Sequence, residues 1–395
     1  MSITERSREV YNLYEGIGTR ERLVEPEEVA IDPRTGKPLD KIYAASQWQL
    51  MWRKFVRNKA AIGGGIVILL LYLTAILADF IAPYALSTRF RKYIYMPPQP
   101  IHFFNDGKFQ PFVYDVDLTI DKNLRKTYLP NPERKIILQF FAKGEPYKLM
   151  GFIDSDVHFV QAPGGIVSLL GTDRQGRDLL SRILLGSQVS LTIGLVGVVM
   201  SLFIGSILGI SSGYYGGWID NLIQRLIELI RSFPGVSLWM ALAAAIPLSW
   251  TVMQTYFAIS MILSLIGWTW LARQLRGKVL ALRNEDYILA AQLAGASDGW
   301  IIFRHLVPAT LGHIVVVSTL AMPSMILAET ALSFLGLGLR PPVTSWGVLI
   351  QEAQNFQTIS LYPWLFIPAA FIAVAILAFS YLGDGLRDAV DPYTI

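Results

Sequence analysis

The chain has 395 residues, of which 53% are hydrophobic and 16% charged, whereas charged residues alone approach about 25% of an ordinary soluble domain. That balance excludes a soluble globular protein. The formal net charge of +4 comes from basic residues that flank apolar runs instead of forming a continuous stripe, so it points to membrane topology and away from nucleic acid. The absence of cysteine excludes disulfides, thiolate metal sites and cysteine nucleophiles.

Met1 to Ala44 is charged, carries Pro26, Pro33 and Pro38, and reads as a flexible tail. Gln47 to Lys59 reads as an interfacial helix, so residues 1–60 form a cytoplasmic leader without recognisable chemistry. The first apolar run begins near Ala61, behind that polar leader, and no signal peptide is expected. It continues to Ile81 with Asp79 as its one acid, giving a first span over 61–82. Arg53, Lys54, Arg57 and Lys59 precede it, which sets the N-terminus in the cytoplasm.

Residues 83–187 differ in kind. Pro97, Pro98, Pro100, Pro111, Pro130, Pro132 and Pro146 alternate with aromatic and β-branched runs such as Lys135 to Phe141, predicting an extracytoplasmic β-rich insertion between the first and second helices. No motif gives it a ligand, so it reads as a folded spacer, with Asn123 on the outer side.

Five more helices are expected over 188–388. Val189 to Ser212 has no charge and forms the second span, in which Ser201, Gly205, Gly209 and Gly213 recur every fourth residue, a stripe that suits close packing on another helix of this chain or, as the alternative, on a sister subunit. The uncharged stretch between Arg231 and Arg273 is too long for one helix. It predicts a third helix from Leu222 through Ile246, with Arg225, Glu228 and Arg231 at its cytoplasmic end, and a fourth ending near Arg273. The fifth runs from Thr310 to Leu335 with Pro323 and Glu329 inside it, and the sixth from Tyr362 to Leu382, leaving 389–395 as a cytoplasmic tail. The chain is thus expected to be an all-α polytopic membrane protein of six transmembrane helices with both termini cytoplasmic. Arg273, Arg276, Lys278, Arg283 and Arg304 crowd the loop between spans four and five, while the outer turn Leu248 to Gln254 carries no charge, in keeping with that topology.

Between spans four and five lies a short amphipathic segment. Asn284 can cap a helix whose first turn holds Glu285 and Asp286, and Gly295 stops it about ten residues later, at about 15 Å, too short to cross a bilayer. Ala290, Ala291 and Ala294 leave a low ridge over which another protein's groove can close, with Tyr287, Ile288 and Leu293 supplying apolar contact.

Other candidates carry blander readings. Glu329 is an acid within a span and so a functional candidate, but its place near the outer end allows water access, and structural hydrogen bonding ranks ahead of substrate contact. His305 and His313 flank Pro308 without an H-x-x-x-H pairing, so no metal site is expected. Tyr381-Leu-Gly-Asp384 has Tyr where an intramembrane aspartyl protease has its first Gly, and reads as a helix end. No G-x-x-x-x-G-K-[ST] loop occurs, so the chain is not expected to bind ATP through one, and no cofactor is expected.

Ala290-Ala291, three residues, Gly295 and then Pro308 resemble the cytoplasmic EAA loop of ABC-importer permeases, with Leu289 where that family has Glu. Three further blocks, Gly171 to Arg182, Leu332 to Pro342 with Ser345 to Gly347, and Gly383 to Pro392, are similar to signatures of the dipeptide/oligopeptide permease family, C-type subunit. The resemblance implies the type I ABC importer fold in the plasma (inner) membrane, a pathway shared with a sister permease, two ABC ATPase subunits and an extracytoplasmic solute-binding protein. It makes 284–296 the coupling helix, with Glu285, Asp286, Tyr287, Ala290, Ala291, Ala294, Gly295, Ala296 and Ser297 as ATPase-docking residues. Glu329, Pro308, Gly205 and Gly209 are structural or gating candidates. Peptides are the expected cargo, with oligosaccharides or nickel chelates as alternatives, and ATP is hydrolysed by partners, not by this chain. Two other classes compete: an integral-membrane enzyme, disfavoured by the missing catalytic constellation, and a passive channel, which needs no docking helix.

Overall fold

The computed structural model describes residues 47–120, 126–340 and 343–390. The leader 1–44, Asn123, Pro341, Pro342 and the tail from 391 onward with Pro392 lie outside those residues.

Helix α1 (Gln47–Arg57) is followed by α2 (Lys59–Ile76) and one turn, α3 (Ala78–Ile81). Asn58 separates the first two, its side-chain oxygen accepting a hydrogen bond from the Ala61 amide at 3.1 Å, which satisfies one of the amides left open at a helix start.

Strands β1 (His102–Asn105), β2 (Lys108–Ile120) and β3 (Lys126–Ile137) form an antiparallel sheet in that order, and β4 (Gln139–Leu149) pairs with β5 (Ile153–Gln161). Asp106 and Gly107, at φ 49° and 79°, join β1 to β2 in the left-handed backbone that a two-residue hairpin turn needs. Tyr84, Met96, Val113, Tyr128, Ile136 and Val167 make a separate small core here. The Tyr84 amide donates to Ser181 Oγ at 3.2 Å, tying this region to the next helix.

That helix, α4 (Leu179–Tyr215), has 37 residues and is about 55 Å long, well beyond a hydrocarbon core of about 30 Å. It begins eight residues before the assigned insertion limit of 187, because Asp178 caps it by accepting from the Ser181 amide at 2.7 Å. Next come α5 (Gly217–Arg231) and α6 (Gly235–Ala244), which meet at 81°. The expected continuous third helix from Leu222 to Ile246 is therefore broken. Pro234 brings no amide and pushes the residue before it out of the helical region, so the chain turns at Ser232 to Pro234.

Helix α7 (Val252–Leu282) starts on a reciprocal cap between Thr251 and Gln254 and continues past Arg273, where the sequence suggested an end. After it come α8 (Asp286–Leu293), α9 (Asp298–Ile301), a π turn (Ile302–Leu306) and α10 (Val307–Phe334), which contains Pro323. Two short helices, α11 (Trp346–Gln351) and α12 (Phe356–Leu361), and a 3-10 turn (Pro363–Phe366) lead into α13 (Ile367–Val390).

Among the described residues five helical runs are long and apolar enough to cross a membrane, and the bent pair α5–α6 makes a sixth if it counts as one span. The main core joins α4, α7, α10 and α13 through buried Leu191, Ile193, Ile259, Leu263, Ile326 and Ala375. Leu69, Leu73, Phe203 and Ile207 are exposed, as expected of lipid-facing positions on helices without a watery face.

Candidate functional site

The short helix α8 stands on one foot. Ile288 is fully buried and packs with Ile210 of α4, Val279 of α7, and Ile301 and Leu306 of the following turn. The rest projects outward. Leu293 is 90% exposed, and Glu285, Asp286, Tyr287, Leu289, Ala290 and Ala294 are also exposed. The helix spans 286–293 rather than 284–296, and Glu285, not Asn284, holds the N-cap position, without a side-chain hydrogen bond. Asn284 falls in the turn that closes α7, one residue too early to reach the open amides.

The other end is stopped firmly. Gly295 has φ +80°, its amide donates to Gln292 O at 3.0 Å, and the Ala296 amide donates to Ala291 O at 3.0 Å. This pair of bonds satisfies two open carbonyls and brings half-buried Ala291 and Ala296 together. Ser297 then caps α9 by accepting from the Trp300 amide at 3.4 Å. Rings complete the surface: His305 lies 5.7 Å from Tyr287 and 4.9 Å from Trp300, centroid to centroid. Desolvation, helped by the Glu285 carboxylate, pushes the Tyr287 hydroxyl above its ordinary range. Pro308 occupies the first turn of α10, where a missing amide costs least.

The glycine stripe of α4 lies against α7. A methyl on Gly209 would come within 2.7 Å of Ala272 O, and one on Gly205 within 2.9 Å of Trp268 O. Backbone thus approaches backbone along the two helices.

Glu329 does not reach water. It is fully buried, and Ser190 Oγ and Ser333 Oγ donate to its two carboxyl oxygens at 3.3 and 2.8 Å. The expected access is blocked because α11 folds back over the site: the Trp346 amide donates to Ser190 Oγ at 3.0 Å and its indole to Ile183 O at 3.1 Å. The expected water access at Glu329 is not met.

A second cluster has no single motif in the sequence to mark it. Asp173 accepts from Arg177 Nε at 2.6 Å and from Arg182 Nη1, while Glu352 Oε1 accepts from Arg177 Nη2 at 2.8 Å and Arg182 Nη1 at 2.9 Å. Asp173 and Arg182 are almost wholly buried, and the two acids balance the two bases. Three of the four lie in the block Gly171 to Arg182, but Glu352 is 170 positions from Arg182, and nothing local in the sequence joins them. Beside it, burial pushes the Asp178 carboxyl upward, partly offset by hydrogen bonds from Ser181 and Ser168. The bend at Pro234 also opens a cavity of about 850 Å³ between α5–α6, α7, α10 and α13.

Residues 205–395 match the family described as the inner membrane component of binding-protein-dependent transport systems, and residues 46–98 match the N-terminal TM domain of oligopeptide transport permease C. Over 223 residues, 56% of this chain and 70% of the relative, the sequence is 38% identical to the oligopeptide transport system permease protein OppC of Bacillus subtilis. The chain belongs to this permease family. It is a C-type permease of a binding-protein-dependent importer, residing in the inner membrane with multiple passes. Identity is 40% over 223 residues with OppC of Escherichia coli K12, covering 56% of this chain and 71% of that protein. It is 31% over 345 residues with the glutathione transport system permease protein GsiD of Pectobacterium atrosepticum, covering 87% and 91% respectively.

Proposed function

We propose that this permease couples to two ABC ATPase subunits through α8 and its flanks, with Glu285, Asp286, Tyr287, Ala290, Ala291, Ala294, Gly295, Ala296 and Ser297 in contact with them. One observation carries this reading: a two-turn helix between two spans buries Ile288 alone and leaves Leu293 90% exposed. Among the described residues nothing covers this apolar ridge of small side chains, whereas a groove on a partner covers it at little cost. Because Ile288 packs on α4, α7 and the entry to α10 together, a push on α8 reaches three helices at once. ATP-driven closure of the partners therefore tilts the spans and alternates access.

Peptides are the proposed cargo. Relatives carry oligopeptide, dipeptide and glutathione transport in their names, and an extracytoplasmic binding protein would deliver the solute to a pathway shared with a sister permease. In this reading the fold is that of a type I ABC importer, with α5–α6 as the broken third of six spans, both termini cytoplasmic, and the strands outside the membrane. Gly205 and Gly209 hold α4 against α7, and Glu329 braces α10, so these act structurally. Co-expression with the neighbouring permease, ATPases and binding protein tests the proposal: the complex should purify intact and drive peptide uptake that depends on ATP. Purification of this chain without ATPases, or uptake independent of ATP, would overturn it.

A further inference from the structure

Among the described strands β4 and β5 pair only with each other, and a two-stranded hairpin is marginal in water unless it has a further surface to pack on. The chain leaving the first span supplies part of that surface. His158 Nδ1 lies 2.7 Å from Ala82 O, Gln161 Nε2 donates to Pro83 O at 2.7 Å, and the Ala85 amide and Thr88 Oγ1 donate to the Glu145 carboxylate at 2.9 and 2.7 Å. These bonds fix the hairpin to residues 82–88 but leave its aromatic side chains open. Phe140, Phe141 and Phe159 are 46%, 65% and 39% exposed, yet their rings meet, with Phe159 5.7 Å from each of the other two, centroid to centroid. Phe80 of α3 joins them, 6.0 Å from Phe141 and 6.1 Å from Phe159.

Phe80 sets where this cluster sits. On α2, Ile66, Leu69, Leu70, Leu73 and Ile76 are exposed at helical spacing, an apolar stripe along a membrane span. The ladder carries on through the turn at Leu77, whose amide donates to Leu73 O at 3.0 Å and whose carbonyl accepts from the Ile81 amide at 2.9 Å. Phe80 thus follows Leu73 by about two turns on the same stripe. At about 1.5 Å per residue, Lys59 to Phe80 rises about 32 Å, close to the ~30 Å of a hydrocarbon core. The four rings therefore stand where the exposed stripe reaches the headgroups, the depth at which aromatic side chains gather. Charge agrees with this placement. Gln139 to Ala142 and Val157 to Gln161 hold no Asp, Glu, Lys or Arg, whereas nearer the tip Lys143 pairs with Asp156 at 3.2 Å and Lys148 with Asp154 at 3.3 Å.

We infer that the base of the β4–β5 hairpin lies in the headgroup layer of the bilayer, with Phe140, Phe141 and Phe159 against lipid beside Phe80, and that this contact anchors the strand region to the membrane surface. Lipid is the occupant because the patch prolongs the exposed stripe of a span, which faces hydrocarbon.

The test uses the whole importer, with cysteine-free partner subunits, in lipid nanodiscs. Because this chain has no cysteine, a single nitroxide can be placed at Phe141→Cys or Phe140→Cys, with Leu69→Cys marking lipid and Lys108→Cys marking water. Collision with oxygen, which concentrates in lipid, is compared by electron paramagnetic resonance with collision with water-soluble chromium oxalate. The oxygen-to-chromium ratio at the two phenylalanine positions should exceed that at Lys108→Cys several-fold and approach that at Leu69→Cys. A ratio no higher than at Lys108→Cys would put the patch in water and overturn the inference. Little collision with either reagent would mean that protein covers the patch, and would overturn it equally. The unaltered importer gives a second readout, free of any distortion by the label: a lipid with a photoreactive diazirine near its headgroup should mark residues 139–161. Adducts on α2 with none on the hairpin would overturn the inference as well.

Discussion

The ionic cluster of Asp173, Arg177, Arg182 and Glu352 and the short helix α8 handle unfavourable surface in opposite ways. In the cluster two carboxylates are paired with two guanidinium groups, and although Arg182 Nε is left buried without a hydrogen-bond partner, the ion pairs close on one another within the chain. On α8 one apolar side chain is buried and a whole ridge is left open. The first arrangement fixes the loop after α10 against the start of α4, since a mismatched charge in a dry site costs more than the pair contributes. The second is anchored by Ile288, and on the proposed docking reading another surface completes it. Closure then marks architecture, and openness the proposed function.

The cluster should therefore be the easier of the two to destroy. Asp173→Leu leaves two buried guanidinium groups facing one carboxylate, and the expected loss is about 3 to 5 kcal/mol. Read as thermal unfolding of the purified complex, the drop should exceed that of any single substitution on α8 or along the glycine stripe. The charge-balanced pair Asp173→Leu with Arg182→Met should recover part of it. A double variant no more stable than Asp173→Leu would show that the four groups do not act as a balanced set.

Ile288→Ala should cost somewhat less, about 2 to 5 kcal/mol locally, because it empties a fully buried site. Cleavage by protease near α8 should increase while the rest of the chain stays protected. Uniform protection would remove Ile288 from its role as anchor.

These two regions are not equally legible in the sequence. The apolar spans and the segment proposed to dock announce themselves by composition, by the Ala-Ala-x3-Gly spacing and by Gly295, whose positive φ is a local property. The break in the third span has a local signal too, since Pro234 stands inside the expected helix from Leu222 to Ile246, although the apolar residues on both sides of it favour one continuous span. The ionic cluster is half visible, as Asp173, Arg177 and Arg182 share one block, but their fourth member comes from a distant loop and only folding brings it near. The burial of Glu329 is illegible for the same reason: Trp346 covers it from outside α10.

A milder effect is expected where helices touch without charge. Gly209→Val puts a branched side chain against the Ala272 backbone and should cost about 1 to 3 kcal/mol by overpacking, whereas Gly63→Val meets open space and should leave unfolding unchanged apart from a small propensity effect. Equal behaviour of the two in thermal unfolding would mean that α4 and α7 do not pack as closely as the stripe requires.

The smallest effect on stability, with the clearest effect on function, belongs to the open side of the comparison. Leu293→Asp changes a side chain that touches almost nothing in this chain, so unfolding of the isolated permease should be unaltered. Ser297→Cys, in the exposed turn just beyond α8, provides the matching probe, because the chain has no other cysteine to react. On intact spheroplasts it should resist an impermeant maleimide that labels Lys108→Cys in the strand region, and it should react once the membrane is opened. Adding the ATPases should slow that reaction, and introducing Leu293→Asp should restore its speed, since a charge on the ridge must be desolvated for the groove to close. If labelling of Ser297→Cys is indifferent to the ATPases in the presence of Leu293, the open ridge belongs to a different partner; if it reacts from outside, the proposed orientation of the whole chain is reversed.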